Sequence, residues 1–303
     1  MLFRSLPPHN HGINSTYTTA TVGQFTHSNM QPSLALTPII ATTGVYPSRS
    51  IIAGDWQPEK SPAGEDLPNF GFGDEPLLGE MTWIAHDQIP NGWLKADGRL
   101  LDMFDHEALF SLLGTAFGGD GETNFALPDL RGRTAVGTGS GAGLTPRRSG
   151  EQFGADVELL TEAHVPPHVH SLSGGGVTES TGGGAMQSNL QPSLGITHLV
   201  ALQGVYPTQS IVANANEPQP AGLGSGTSPF IGSISMFAGD FAPRDFARAD
   251  GQLLNISLYQ ALFSLVGTIY GGDGEATFQL PDLRGRLSLQ AGSGAGLPFR
   301  GLG

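Results

Sequence analysis

The sequence has no cysteine. That removes disulfides, thiolate nucleophiles and cysteine-ligated metals together, and leaves the compartment open. Charge is scarce, at 14% of 303 residues, and basic charge scarcer still: 14 Lys and Arg against 27 Asp and Glu leave a net charge of -13. A nucleic-acid partner is therefore not expected, because phosphate contacts need a basic face. No apolar run approaches the roughly eighteen residues that cross a bilayer, so no membrane span is expected. The opening residues, MLFRSLPPHNHGINSTY, hold one arginine and no useful apolar stretch, and do not read as a secretory signal. A protein of this kind would reach the cell exterior by lysis or by a route other than a cleaved signal.

Glycine and proline are in excess, 45 and 22 residues, about a fifth of the chain. With apolar residues at 38% and many Ser and Thr, this composition reads as short strands joined by many turns. It also contains a duplication. GTAFGGDGETNFALPDLRGR at 114–133 returns as GTIYGGDGEATFQLPDLRGR at 267–286, and 20 of the 26 positions from 108 to 133 match without a gap, far beyond chance. The likeness starts upstream, at GEMTWIAHDQIPNGWLKADGRLLD (79–102) and GSISMFAGDFAPRDFARADGQLLN (232–255), and ends in GSGAGL at 139–144 and 292–297. A second segment type is also duplicated. LPPHNH (6–11) returns as VPPHVH (165–170), QPSLALT (31–37) as QPSLGIT (191–197), and GVYPSRSIIA (44–53) as GVYPTQSIVA (204–213). The two segment types alternate along the chain.

Local structure follows from the pattern. GEMTWIAH and GSISMFAG alternate apolar and polar residues as half-buried strands do. FDHEALFSLLG and SLYQALFSLVG carry helical spacing and stop at glycine, so each predicts a short helix. Ser257 is the expected N-cap of the second helix, with Asp105 substituting in the first. GGDG predicts a tight turn in which glycine takes positive φ without a Cβ clash. LPDLRGR predicts an extended segment, since the residue before proline avoids the α region. Pro and Gly punctuate 56–76 and 214–229, which read as linkers, and SLSGGGVTESTGGG (171–184) reads as an irregular or flexible loop.

The ordered run ADG(R/Q)LL…ALFSL(L/V)GT…(Y/F)GGDGE…F.LPDLRGR, followed by GSGAGL and then LTEAHVPPHVH, resembles the phage tail-collar domain family, which includes the microcystin-dependent proteins of bacteria. The resemblance covers about 78–170 and again 231 onward. It implies a structural or adhesive protein similar to the ends of viral short tail fibres: mainly β with short helices, elongated, an intertwined homotrimer or fibre-forming, and placed extracellularly or on a virion tail. It supplies no catalytic residues. The chain departs from the family order, in which a collar half precedes a tail half. The expected organisation is an orphan tail half at 1–55, a linker at 56–76, a complete collar-plus-tail module at 77–213, a linker at 214–229, and an orphan collar half at 230–303.

A single half-repeat is not expected to cover its own apolar face. The C-terminal collar half would take the N-terminal tail half of its own chain or of the next. Closure between chains is a head-to-tail contact that grows a filament unless it forms a ring. The other reading is a closed trimeric fibre tip with two similar domains per chain.

Several residues are candidates for chemistry. His9 and His11, like His168 and His170, form His-x-His pairs whose rings share one face of a strand. Two imidazoles are too few for a tetrahedral zinc site, but three chains on a threefold axis would supply six, which suits an octahedral divalent metal such as iron, and zinc less typically. The resemblance to tail fibres with an axial His-x-His metal points to the same four residues. The competing reading makes them turn residues beside Pro-Pro. His27, His164 and His198 lack that spacing and read as structural. Asp129, Arg131 and Arg133, with Asp282, Arg284 and Arg286, could belong to a carbohydrate site. A glycosidase needs two carboxylates on one cleft, however, and the sequence puts no second one in a comparable context. The preferred reading is Asp-capped turns tied by arginine. GGDGE is only loosely like a calcium loop, and GSGAGL lacks the Lys-Ser/Thr of a phosphate loop. Trp83, Trp93, Phe237, Phe241, Phe246, Tyr46 and Tyr206 read as core or trimer contacts before sugar platforms.

These observations converge on a non-enzymatic structural fibre protein that self-associates as a homotrimer or polymer. The rivals are a receptor-binding tip or adhesin that takes a cell-surface polysaccharide at its loop tips, and an enzyme acting on cell-wall sugars.

Overall fold

A computed structural model describes residues 12–13, 16–17, 25–31, 33–48, 76–172, 175–207, 229–289, 291–292 and 299–303. Most of both expected linkers, together with His9 and His11, lies outside them. The described strands in chain order are β1 (Gly12–Ile13), β2 (Thr16–Tyr17), β3 (Phe25–Ser28), β4 (Thr37–Ala41), β5 (Glu80–Ile84), β6 (Trp93–Lys95), β7 (Leu100–Asp102), β8 (Asn124–Ala126), β9 (Thr134–Gly137), β10 (Gln152–Phe153), β11 (Val157–Leu160), β12 (Ser193–Ala201), β13 (Ile234–Phe237), β14 (Phe246–Arg248), β15 (Leu253–Asn255) and β16 (Thr277–Gln279). Two helices, α1 (Glu107–Leu113) and α2 (Gln260–Val266), interrupt them. The expected mainly β chain with short helices is what the described residues show.

The chain divides into two compact units, Met1–Leu34 with Gln152–Ser193, and Ala35–Glu151 with Leu194–Gly303. In the first unit β3 and β11 pair antiparallel, Phe25 opposite Leu160 and Ser28 opposite Val157. A single 3-10 turn at Glu162–His164 follows, closed by Thr161 and His164 bonding each other's backbone and side chains. The stretch expected to be an irregular loop is a narrow hairpin where described: His168 and Thr181 exchange both backbone hydrogen bonds, and Ser171 bridges Val177.

The second unit carries the duplication as matched structure. β4 lies between β5 and β6, with Ile39 opposite Thr82 and Lys95. β12 lies between β13 and β14 in the same way, Leu199 opposite Ser235 and Arg248. The two sets join where β5 pairs β13, Met81 opposite Met236 and Glu80 opposite Phe237. Each repeat then adds a hairpin, β7 with β8 or β15 with β16, over its helix. Both helices end at glycines with φ of 51°, Gly114 and Gly267, whose N–H closes on the Phe110 or Phe263 carbonyl. A side chain at that φ would be strained, which is why glycine stands there.

The expected helix caps are not made. The helices follow His106 and Tyr259, neither of which caps through its side chain. Asp102 and Asn255, at the ends of β7 and β15, accept hydrogen bonds from the N–H of Phe104 (2.8 Å) and Ser257 (2.9 Å). These Asx turns steer the chain into the helix, so Asp105 and Ser257 fall upstream of the caps.

Candidate functional site

β12 holds the repeats together. All nine of its residues are buried. Its rear half belongs to the second repeat through β13 and β14. Its front half is held by the first repeat. β9 runs along it, Thr138 donates to the Ile196 carbonyl at 3.3 Å, and Gly195 exchanges backbone bonds of 2.8 and 2.9 Å with Glu151 and Gly150. Gly195 has no room for a Cβ, because the Arg148 carbonyl occupies that place. Leu194 and Ile196 thereby enter one core with Leu109, Phe125 and Leu127 of the first repeat, alongside Met236 and Ala238. The matching core of the second repeat, around Leu262, Phe278 and Leu280, draws its described members only from residue 200 onward. A second close approach lies beside it: Gly137 exchanges backbone bonds with Gly285 and Arg286, and the Leu283 carbonyl occupies the place of its absent Cβ.

The LPDLRGR loops are built alike in both repeats. Asp129 takes a two-pronged ion pair from Arg131 at 2.9 and 3.1 Å, and Arg133 adds a contact at 3.3 Å. Asp282 repeats this with Arg284 and Arg286. The structure corrects one expectation: Asp97 bridges Asp129, and Asp250 bridges Asp282, so each loop does have a second carboxylate. Asp97 is itself paired with Arg99 at 2.7 and 2.9 Å. Hydrogen bonds from Arg99, Arg131 and Arg284 hold Asp97, Asp129 and Asp282 below the ordinary carboxylate range. A glycosidase needs one carboxyl raised so that it stays protonated. Asp97, Asp129 and Asp282 are lowered instead, and the arrangement ties strands together.

The GGDG turns are equally closed. Asp120 accepts from the N–H groups of Glu122, Thr123 and Asn124 and from both the Thr123 hydroxyl and the Asn124 amide. Those bonds push it well below the usual carboxylate range, and three backbone N–H groups take Asp273 down to about 2. Oxygen atoms so occupied are turn anchors, not open calcium ligands.

His168 and His170 are brought together as their spacing predicts, ring centroids 5.2 Å apart and nearly perpendicular at 81°. His168 Nδ1 lies 2.9 Å from the Pro166 carbonyl. Among the described residues no group of three or more His, Asp or Glu could hold a metal ion within one chain.

The phage tail collar domain family model matches residues 79–135 and 232–288, the stretches running from β5 to the start of β9 and over their duplicates. Two stretches of the chain thus match the phage tail collar domain. No curated protein and no solved structure matches it. No helix among the described residues is long and apolar enough to cross a membrane.

The matched spans leave out β4 and β12, yet each collar sheet is built around one of them. Sequence reasoning marked QPSLGIT as part of a repeat but missed that Leu194 and Ile196 fill the neighbouring collar's core. The signal was weak, because QPSLALT at the other end carries the same apolar pattern. Of the aromatic candidates, Phe237 and Phe246 are core, whereas Trp83, Tyr46 and Tyr206 are exposed. Tyr46 and Tyr206 bond Ser111 and Ser264 on the two helices, the same link made twice.

Proposed function

We propose that this chain is a structural fibre protein of the phage-tail type, which self-associates as trimers or as a head-to-tail filament through its terminal half-repeats, 1–55 and 230–303. The observation that carries the reading is β12, whose front half closes one collar while its rear half belongs to the next. Collars joined by a shared strand form a series, and a series with one direction extends by repetition. Two collar domains support a place in a virion tail, and ion-paired loops with depressed carboxylates suit scaffold better than catalysis.

His168 and His170, with His9 and His11 as their duplicates, are proposed ligands of a divalent cation, iron or zinc, on a threefold axis where three chains meet. The ion would cross-link the chains there. Metal that co-purifies with trimers, and trimers that dissociate under chelation, is the expected result; metal-free trimers would remove this part.

The main reading is tested by electron microscopy of the purified chain across a concentration series. Fibres that disappear when residues 1–53 are deleted are expected. Particles of one size and no trimers at any concentration would contradict it.

A further inference from the structure

The joint between the two collars is one-sided. β5 and β13 pair at Met81–Met236 and Glu80–Phe237, but the mirror pair, Trp83 with Ile234, is not made, and both of those side chains are exposed. An isologous contact would use both ends of each strand, so this one is heterologous and leaves a complementary half open at each end. The open halves are visible position by position. Leu194 is 1% exposed, whereas its duplicate Leu34 is 84% exposed. Val136 of β9 is 4% exposed, whereas its duplicate Leu289 is 74% exposed. Leu36 and Trp83 are exposed where Ile196 and Met236 are buried, and Ile234 is exposed where Met81 is buried. Leu100 and Leu253, a duplicate pair outside these segments, agree at 60% and 61%. Among the described residues no strand pairs with 33–36 or with 287–289.

We infer that the two open halves fit each other across copies: residues 287–289 and Ile234 of one chain receive residues 33–36 and Trp83 of a second copy of this chain. This rests on the fibre reading above and names its joint. The chain already makes such a contact with itself, where SLGIT, the duplicate of SLALT, is clamped by β9, the segment that 287–289 duplicates. The copy is not exact. Gly195 and Gly137, which admit no Cβ, correspond to Ala35 and Gln290. The joint between copies is therefore wider and weaker than the one inside the chain, which makes assembly reversible and concentration-dependent.

The test uses the full chain, Leu34→Asp, Leu289→Asp, and an equimolar mixture of the two variants, sized by sedimentation velocity. Both positions are exposed, so each variant should melt with the wild type. A carboxylate in the strand pair should raise the apparent dissociation constant roughly a hundredfold or more. The wild type should grow with concentration, each variant alone should remain single chains, and the mixture should stop at dimers, since each variant keeps one intact half. Ala35→Gly with Gln290→Gly should lower the concentration at which growth begins. Assemblies that persist unchanged in both variants would overturn this joint while leaving the fibre reading standing. A wild type that stays a single chain at every concentration would overturn both.

Discussion

The front of β12 and the stretch before β4 are nearly the same sequence in opposite surroundings. Leu194 and Ile196 are core; Leu34 and Leu36 face solvent. The helices show the same contrast, since α1 buries Leu109, Leu112 and Leu113 and α2 buries only Leu262. The first collar is completed by its successor, whereas the described core of the second holds only residues from 200 onward. Burial here depends on which strand arrives next, and the local sequence does not determine it.

The largest effects should come at the shared strand. Ile196→Ala should destabilise the chain by about 2–5 kcal/mol, as removal of a fully buried branched side chain does. Its duplicate, Leu36→Ala, should stay within about 0.5 kcal/mol in dilute solution. Urea denaturation of both variants checks this, and equal losses would erase the contrast. Leu112→Ala should come next, at about 2 kcal/mol or more, with Leu265→Ala smaller because α2 is less covered. Thermal melts of that pair rank the two cores.

Gly92 and Asp245 are duplicates that differ in backbone strain. Both have positive φ, 82° and 67°, and Asp245 is the one non-glycine residue among the described residues to do so. Burial also raises the Asp245 carboxyl above its ordinary range. Asp245→Gly should therefore stabilise the second collar, by up to about 1 kcal/mol. A loss of stability on making this change would mean the side chain has a contact that outweighs its strain.

The smallest effects concern pH. His198 of β12 is buried, which lowers its pKa below the ordinary 6.5; its duplicate is Pro38, which cannot titrate. The unfolded chain binds that proton first, so stability should be level above about pH 6.5 and fall as pH drops below it. His198→Gln should flatten that slope. Asp273, held near 2, acts in the same direction lower down: its stabilisation is complete above the ordinary 3.8 and is lost as pH falls towards 2. Asp273→Asn should remove that part of the acid transition.

Much of the fold was legible. Alternation in GEMTWIAH marks β5, and ALFSL stopping at Gly114 marks α1, because periodicity and helix-ending glycines are local signals. The His168–His170 contact was legible from spacing alone, since alternate residues of an extended segment share a face. The Asp97–Asp129 bridge was not, because two distant turns meet there through β-pairing that no spacing encodes. The helix starts were misplaced because Asp102 and Asn255 build the turns before them, and the more obvious capping residues lie within those turns.

Hydrogen exchange read by mass spectrometry across a concentration series tests the central claim most directly. Residues 194–196 should be protected at every concentration. Residues 33–36 and 287–289 should exchange fast when dilute and gain protection together as concentration rises. Fast exchange at 33–36 and 287–289 under all conditions, or exchange at 194–196 as fast as at 34–36, would contradict the account.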